Sequence, residues 1–433
     1  MTRIVRGVFM AAVALLSLGS MSRAKDLTLD DCIDLALKNR ASIIAARGNV
    51  ELSKWSERTA LGQFLPHASA SYDYLKSQYR SGKVHSPAGD STVANYDVTA
   101  KSMGVGASIN MLLPDAIFNY TAARIDRFAS QLDVIGSEQD LIFAVKEAFY
   151  SYLAAEQNYS VQQEAVKRSE EQLKLIQSRF ELGSAALSDV LKQKVLYGND
   201  KLALLAASNS ITNSKANLSY TVGVDPQAET VYSSEYTVRQ YDGTLDDAIK
   251  FGLEHKPSLL SQEKSISSAN TRLLAAKWDY LPKLGPTASY GYSKTWAGGG
   301  FSETGTKLSY GFGLSWNIFD GFLRESRVAS AKIARNNARA QMSDQRNQVV
   351  SQIKTAYLNI QQLKEQKTVS QANVDASTED LKITQEKYNL GAATILDLLN
   401  AQVSLKQAQV TLIQADFDLN LAISRLENAM GKM

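Results

Sequence analysis

The chain has 433 residues, with 47 Lys and Arg against 44 Asp and Glu, seven Pro, three His and one Cys. One cysteine excludes an intramolecular disulfide framework, and His67, His85 and His255 lack metal-ligand neighbours at useful spacing. Setting aside the three arginines of the first 24 residues leaves 44 basic against 44 acidic side chains, so the charge favours no nucleic-acid partner.

Residues 1–24 read as a secretory signal peptide. Arg3 and Arg6 form a basic start, Val8 to Leu18 a short apolar run, and Ser22 and Ala24 a small-residue cleavage site, which predicts cleavage after Ala24. That run is too short to span a bilayer as a helix, and no later stretch is long enough either. Cys32 lies eight residues past the site, which excludes a lipid anchor there.

The rest is written twice. Thr28-Leu29-Asp30-Asp31 returns as Thr244-Leu245-Asp246-Asp247, and Phe64-Leu65-Pro66 returns as Tyr280-Leu281-Pro282. Val145-Lys146-Glu147-Ala148-Phe149 matches Ile353-Lys354-Thr355-Ala356-Tyr357. The repeats are assigned to 25–230 and 231–433, with 224–243 as the connection, because self-similarity of this extent marks duplication. Each repeat opens on a predicted helix, about 28–63 and 244–280, that ends at Leu-Pro.

Strict alternation follows. Met103, Val105, Ala107, Ile109 and Met111 alternate with small or polar residues, as do Leu308, Tyr310, Phe312, Leu314, Trp316 and Ile318. Period two predicts strands with one greasy and one polar face, over about 66–78, 98–113, 284–294 and 306–319. Their length suits tilted outer-membrane strands, with Tyr310, Phe312, Leu314 and Trp316 toward lipid. The connections Tyr79–Asp97 and Lys294–Thr306 are rich in Gly, Ser, Thr and Asp. Gly298–Lys307 lacks the Gly-Lys-Ser/Thr order of a phosphate loop and enters a strand, so it reads as a hairpin.

Next come helices from Asp115 to Leu182 and from Gly321 to Leu390, each uninterrupted by proline. At 1.5 Å per residue they are ~100 Å long, the scale of a coiled coil or helical barrel. Both break at a glycine and restart at once: tip 180–191 contains Leu182-Gly183 and Asp189, tip 388–400 contains Leu390-Gly391 and Asp397. In the final helix Leu398, Leu405, Leu412, Leu419 and Leu426 recur every seven residues, and Ala401, Ala408, Ala415, Ala422 and Ala429 keep step. That is a heptad seam allowing close helix approach. Nucleophile elbow, dinucleotide fingerprint and metal cluster are all missing from the sequence, so no enzyme and no cofactor are expected.

Four strands cannot close a membrane barrel, because open edges leave backbone groups unsatisfied in lipid. Several chains must share one; three give twelve strands. This architecture, the Leu-Pro turns, Asn317-Ile318-Phe319-Asp320-Gly321 and the two Leu-Gly tips together resemble the TolC family of outer-membrane efflux and secretion channels, from about Leu27 to Gly431.

The resemblance implies a mainly α protein with a membrane β part: a homotrimeric twelve-stranded barrel continuous with a periplasmic helical barrel. It implies tips (Leu182, Gly183, Leu390, Gly391) that meet a periplasmic adaptor joined to an inner-membrane transporter, in a Gram-negative outer membrane. The family's constricting acidic ring falls on Asp397, while the position of a second ring holds Asn400. Its inner–outer tip bonds fall on Tyr388, Asp189 and Ser188, and its arginine position holds Ala393, which implies a resting gate held less tightly than in the family's best-known member. The alternative is a periplasmic coiled-coil scaffold without a pore, which explains the heptads but not four amphipathic strands.

Overall fold

The computed structural model describes residues 26–79, 82–84, 89, 91–93, 96–228, 230–236, 239–297 and 301–433. The expected signal peptide and Gly298–Gly300 lie outside the described residues. Two compact units divide the chain: residues up to Ile44 with Ser137–Leu253 and Val349–Met433, and Ala45–Gly136 with Glu254–Gln348. Each unit takes segments from both repeats, so the structural division cuts across the sequence duplication.

Helices α1 (Leu29–Asn39) and α5 (Leu245–His255) open the repeats. Thr28 Oγ1 accepts from Asp31 N at 3.2 Å, and Asp31 Oδ2 accepts from Thr28 N at 3.1 Å. Thr244 Oγ1 likewise accepts from Asp247 N at 3.2 Å. The repeated T-x-x-D is thus a helix start signal, satisfying backbone donors that the first turn leaves open. The single helices expected over 28–63 and 244–280 are each split. Arg40 is extended (φ −70°, ψ 129°) between α1 and α2 (Ala41–Gly62). Lys256 is extended (φ −63°, ψ 119°) before α6 (Pro257–Trp278), since a residue preceding proline is driven out of the helical region.

The sheet is antiparallel, in the order β1 (His67–Tyr79), β4 (Tyr96–Asn110), β5 (Lys283–Ala297), β6 (Phe301–Ser315). A separate two-stranded ladder, β2 (Gly82–Val84) with β3 (Ser91–Val93), occupies the longer connection of the first repeat. The two hairpins run further into their connections than the alternation alone predicts, to Tyr79↔Tyr96 and Ala297↔Phe301, because pairing continues through Gly, Ser and Thr. At the other end β4 and β6 stop at Asn110 and Ser315, short of the expected 113 and 319.

Long helices follow each hairpin: α3 (Leu113–Glu181, 69 residues) and α7 (Leu323–Asn389, 67 residues), about 100 Å each. Asp320 Oδ1 accepts from Leu323 N at 3.1 Å and starts α7. The returning helices are α4 (Leu187–Val222) and α8 (Ile395–Met430). On α8 the heptad seam is buried at Leu398, Ala401, Leu405, Ala415, Leu419, Ala422, Leu426 and Ala429. Leu412 and Ala408 are only half-buried, where a groove lined by Tyr150, Asn158, Val410 and Phe417 opens.

The core of this unit joins Cys32, Ala36 and Ile43 to Val145, Phe149, Leu153, Leu218, Val222 and Phe417. Burial pushes the Cys32 thiol up to about 12, so it packs as an apolar group and is inert as a nucleophile. The connection between repeats is anchored at both ends: Leu27 bridges Tyr232, and Arg239 clamps Glu427 on α8 at 2.7 and 2.5 Å.

Candidate functional site: helical tips and membrane sheet

Both tips turn at a glycine in the left-handed region, Gly183 at φ 74° and Gly391 at φ 75°, where a side chain would be strained. The bonds that follow are the same in each. Ser184 N donates to Arg179 O at 2.8 Å and Ala392 N to Lys387 O at 2.8 Å, which satisfies carbonyls at the helix end. The preceding leucines project outward: Leu182 is 84% and Leu390 85% exposed. Burying these side chains would be favourable, and nothing among the described residues does so.

The restarts differ. Thr394 caps α8 reciprocally with Asp397: Asp397 N donates to Thr394 Oγ1 at 3.2 Å, and Thr394 N and Oγ1 donate to Asp397 Oδ2 at 2.9 and 2.7 Å. These bonds, the hydroxyl's first, hold the exposed Asp397 carboxyl below the usual carboxylate range. The N-cap of α4 is Ala186, which offers no side-chain oxygen. There Ser188 Oγ donates to Asp189 Oδ1 at 3.3 Å instead. Asn400 is exposed about one turn beyond Asp397, and Ala393 is half-buried at the edge of the tip cluster.

Tyr388 is buried against Leu173, Ile176, Val190, Ile395 and Leu398. Burial first, then the nearby Asp189 charge, push its phenol up. Its partner from the first hairpin is one the sequence reading missed: the Arg179 guanidinium sits 5.5 Å from the Tyr388 ring centroid. Arg179 Nη2 also donates to Asn389 Oδ1 at 3.0 Å. Arg179 lies one residue before the first tip, but nothing local connects it to a tyrosine about two hundred residues later.

In the sheet, register gathers each kind of residue on its own face. Ala288↔Tyr310, Pro286↔Phe312 and Leu284↔Leu314 pair across β5 and β6. Ala107↔Tyr290 and Tyr72↔Met103 extend the same face over β4 and β1. Phe312 is 82% exposed there. The opposite face carries Ser69, Gly106, Ser108, Ser289, Gly291, Ser309 and Gly313. Trp316 is exposed just past the end of β6. Strands β1 and β6 each have one neighbour among the described residues, which leaves an unpaired edge on either side. Among the described residues no helix is long and apolar enough to cross a membrane, and no group of side chains could hold a metal ion.

A sheet greasy on one face and small and polar on the other, in a chain otherwise made of long paired helices, defines an outer-membrane channel with a helical periplasmic part. The chain belongs to the outer membrane efflux protein family, whose profile matches residues 32–224 and 249–432. It is similar to the outer membrane efflux protein BepC of Brucella suis biovar 1, 24% identical over 409 residues, 94% of this chain and 86% of that one. It is also similar to the outer membrane protein TolC of Escherichia coli K12, 24% identical over 283 residues, 63% of this chain and 57% of that one. The crystal structure of the outer membrane protein VceC of Vibrio cholerae superposes with a TM-score of 0.78 at 18% identity, covering 93% of this chain and 96% of that one, which shows the shared fold. The family is one of channels rather than enzymes.

Proposed function

We infer that three copies of this chain close one twelve-stranded barrel and form the exit duct of a tripartite efflux pump or type I secretion system. The observation that carries this is the four-stranded sheet with an exposed apolar face and two edges unpaired among the described residues. Edges left open in lipid would strand backbone donors and acceptors, and closure with further copies removes them. A second feature agrees. Leu191, Val195, Leu202 and Leu205 are exposed at coiled-coil spacing on α4, a stripe that a helix of another copy would cover.

In this reading the small polar strand face lines water and Tyr310, Phe312, Leu314 and Trp316 meet lipid. The chain is exported through a signal peptide cleaved after Ala24. The tips carry the two remaining roles. Leu182 and Leu390, held out by their glycines, are the contacts for a periplasmic adaptor that links the duct to an inner-membrane transporter. Asp397, repeated three times about the axis, lines the aperture, with Asn400 one turn further in. No cofactor or metal takes part.

Reconstitution into planar bilayers tests it. The duct reading expects long-lived ion-conducting channels from purified, full-length protein. A pore-free scaffold would give an unperturbed bilayer, and that result would overturn the inference.

A further inference from the structure

Register sorts the lysines of the sheet as well as its rings. Strands β1, β4, β5 and β6 hold five lysines and no arginine. Lys283 and Lys307 fall on the small, polar face, in register with Ser315 and Gly291. Lys76, Lys101 and Lys294 fall on the greasy face. Lys101 pairs with Tyr74 on one side and Trp296 on the other, while Lys76 lies two residues beyond Tyr74 and Lys294 two residues before Trp296. The three therefore form a diagonal row across β1, β4 and β5, each ~7–8 Å from the next.

Lys101 Nζ stands 5.9 Å from the Tyr74 ring centroid, and Lys294 Nζ 4.9 Å from that of Trp296. Among the described residues these two ammonium groups meet ring faces and no carboxylate. The acids of the strands lie elsewhere. Asp73 and Glu303 are on the polar face, in register with Ser102 and Thr295, and Asp97 is on the greasy face beyond Lys76, opposite Gln78.

Two ordinary explanations fail on position. Charges on a sheet edge discourage stray pairing, but β4 and β5 are interior strands. Long cationic side chains also snorkel to either boundary of a membrane. Here all three lie toward the hairpin ends, and at the helical end the same face finishes in exposed Leu284, Leu314 and Trp316. From Leu284 to Lys294 is ~34 Å of strand, or ~26 Å of depth at a ~40° tilt, close to the height of an outer-membrane apolar band. With the greasy face toward lipid, Lys294 stands at the outward boundary of the hydrocarbon, and Lys101 and Lys76 stand past it.

Like charges this close repel, and an anion between them relieves the repulsion. We propose that Lys76, Lys101 and Lys294 form a binding site for the phosphate groups of an anionic glycolipid in the outward-facing leaflet. The exposed rings of Tyr72, Tyr74 and Trp296 lie against the start of its acyl chains. This rests on the barrel reading above, which sets the greasy face toward lipid and the hairpins outward. Clustered ammonium groups make charge-assisted bonds to phosphate oxygens and hold anionic lipid at a membrane surface. Repeated around a barrel, one site per chain gives a collar of bound lipid.

Native mass spectrometry of the full-length protein in mild detergent tests the proposal, with lipid A carrying both phosphates and lipid A with both removed as probes. The phosphorylated lipid should stay bound to the wild type, one per chain, and the dephosphorylated lipid should not. Lys101→Gln/Lys294→Gln should weaken retention about tenfold or more. Lys101→Arg/Lys294→Arg should keep it, and Lys307→Gln, on the opposite face, should behave as wild type. If the Gln double variant fails to assemble, the two lipids compared on the wild type still decide. Equal retention of both lipids, a Gln double variant that binds as wild type, or an equal loss in Lys307→Gln would overturn the proposal. The same spectra report the oligomer. Trimers that hold both lipids alike sink the site and leave the barrel standing. A monomer that holds the phosphorylated lipid through Lys101 and Lys294 keeps the site and sinks the barrel.

Discussion

Asp397 caps α8 and, in the proposed duct, also lines the aperture. Its Oδ2 completes the cap of α8 through Thr394, while the side chain as a whole is exposed at the tip. Capping explains why an acid suits this place in the helix, and it keeps the carboxylate ionised by stabilising the charged form. In the proposed trimer, three such charges in a narrow, poorly screened opening would draw in cations. Asp397→Ala should therefore lower cation selectivity and relieve block by multivalent cations in planar bilayers. The pH dependence has a definite sign. Capping holds the carboxyl below its ordinary value, while like charges in the proposed ring push it up; on either balance the block should weaken as the carboxyls protonate in acid, and block unchanged at a pH low enough to protonate carboxylates would contradict the assignment. Asp189 and Asp397 stood out as matching tip positions because the tip is written twice, and Tyr388 was singled out only by the family resemblance. Arg179 was not: its bond partner is 210 positions away, and on α3 it reads as one more charge on a solvated face.

Among the elements, the strands were legible by period and their ends were not. Alternation of Tyr, Phe and Leu with Gly and Ser identifies both faces, but Gly, Ser and Thr are equally at home in a loop, and only pairing carries β5 and β6 to Ala297 and Phe301. The break at Lys256–Pro257 was written in the proline, whereas the break at Arg40 has no such marker. The two faces carry different expectations. Leu314→Arg should impair insertion by ~2–4 kcal/mol if mid-bilayer, read as loss of heat-modifiable protein from outer-membrane fractions. Ser309→Arg should assemble and change conductance instead. Equal assembly defects would reverse the assignment of lipid and water faces. The tips carry a third expectation. Leu182→Asp with Leu390→Asp removes the exposed apolar contacts and leaves both glycine turns in place. Export should fail with trimers intact in the membrane. Normal export would show that the leucines dock nothing.

At the scale of the whole molecule, duplication was plain in the sequence, while the division into compact units was not. The repeats are contiguous in the chain, but α3 and α7 each run through both units, and a helix that long gives no local sign of where one core ends. The stretch between the repeats reads as a plain connection, yet Tyr232 and Arg239 tie it down, through Ser219 at 2.7 Å and Glu427. The Arg239–Glu427 contact joins residues 188 positions apart, and neither contact has a periodic signature.

The central claim is that one chain supplies a third of a barrel. Native mass spectrometry of the full-length protein, extracted from outer membranes in mild detergent, tests it most directly. The account predicts a species of three chains that persists until the strands are denatured, with no folded monomer beside it. A folded, membrane-extracted monomer would contradict it, because β1 and β6 would then keep open edges in lipid.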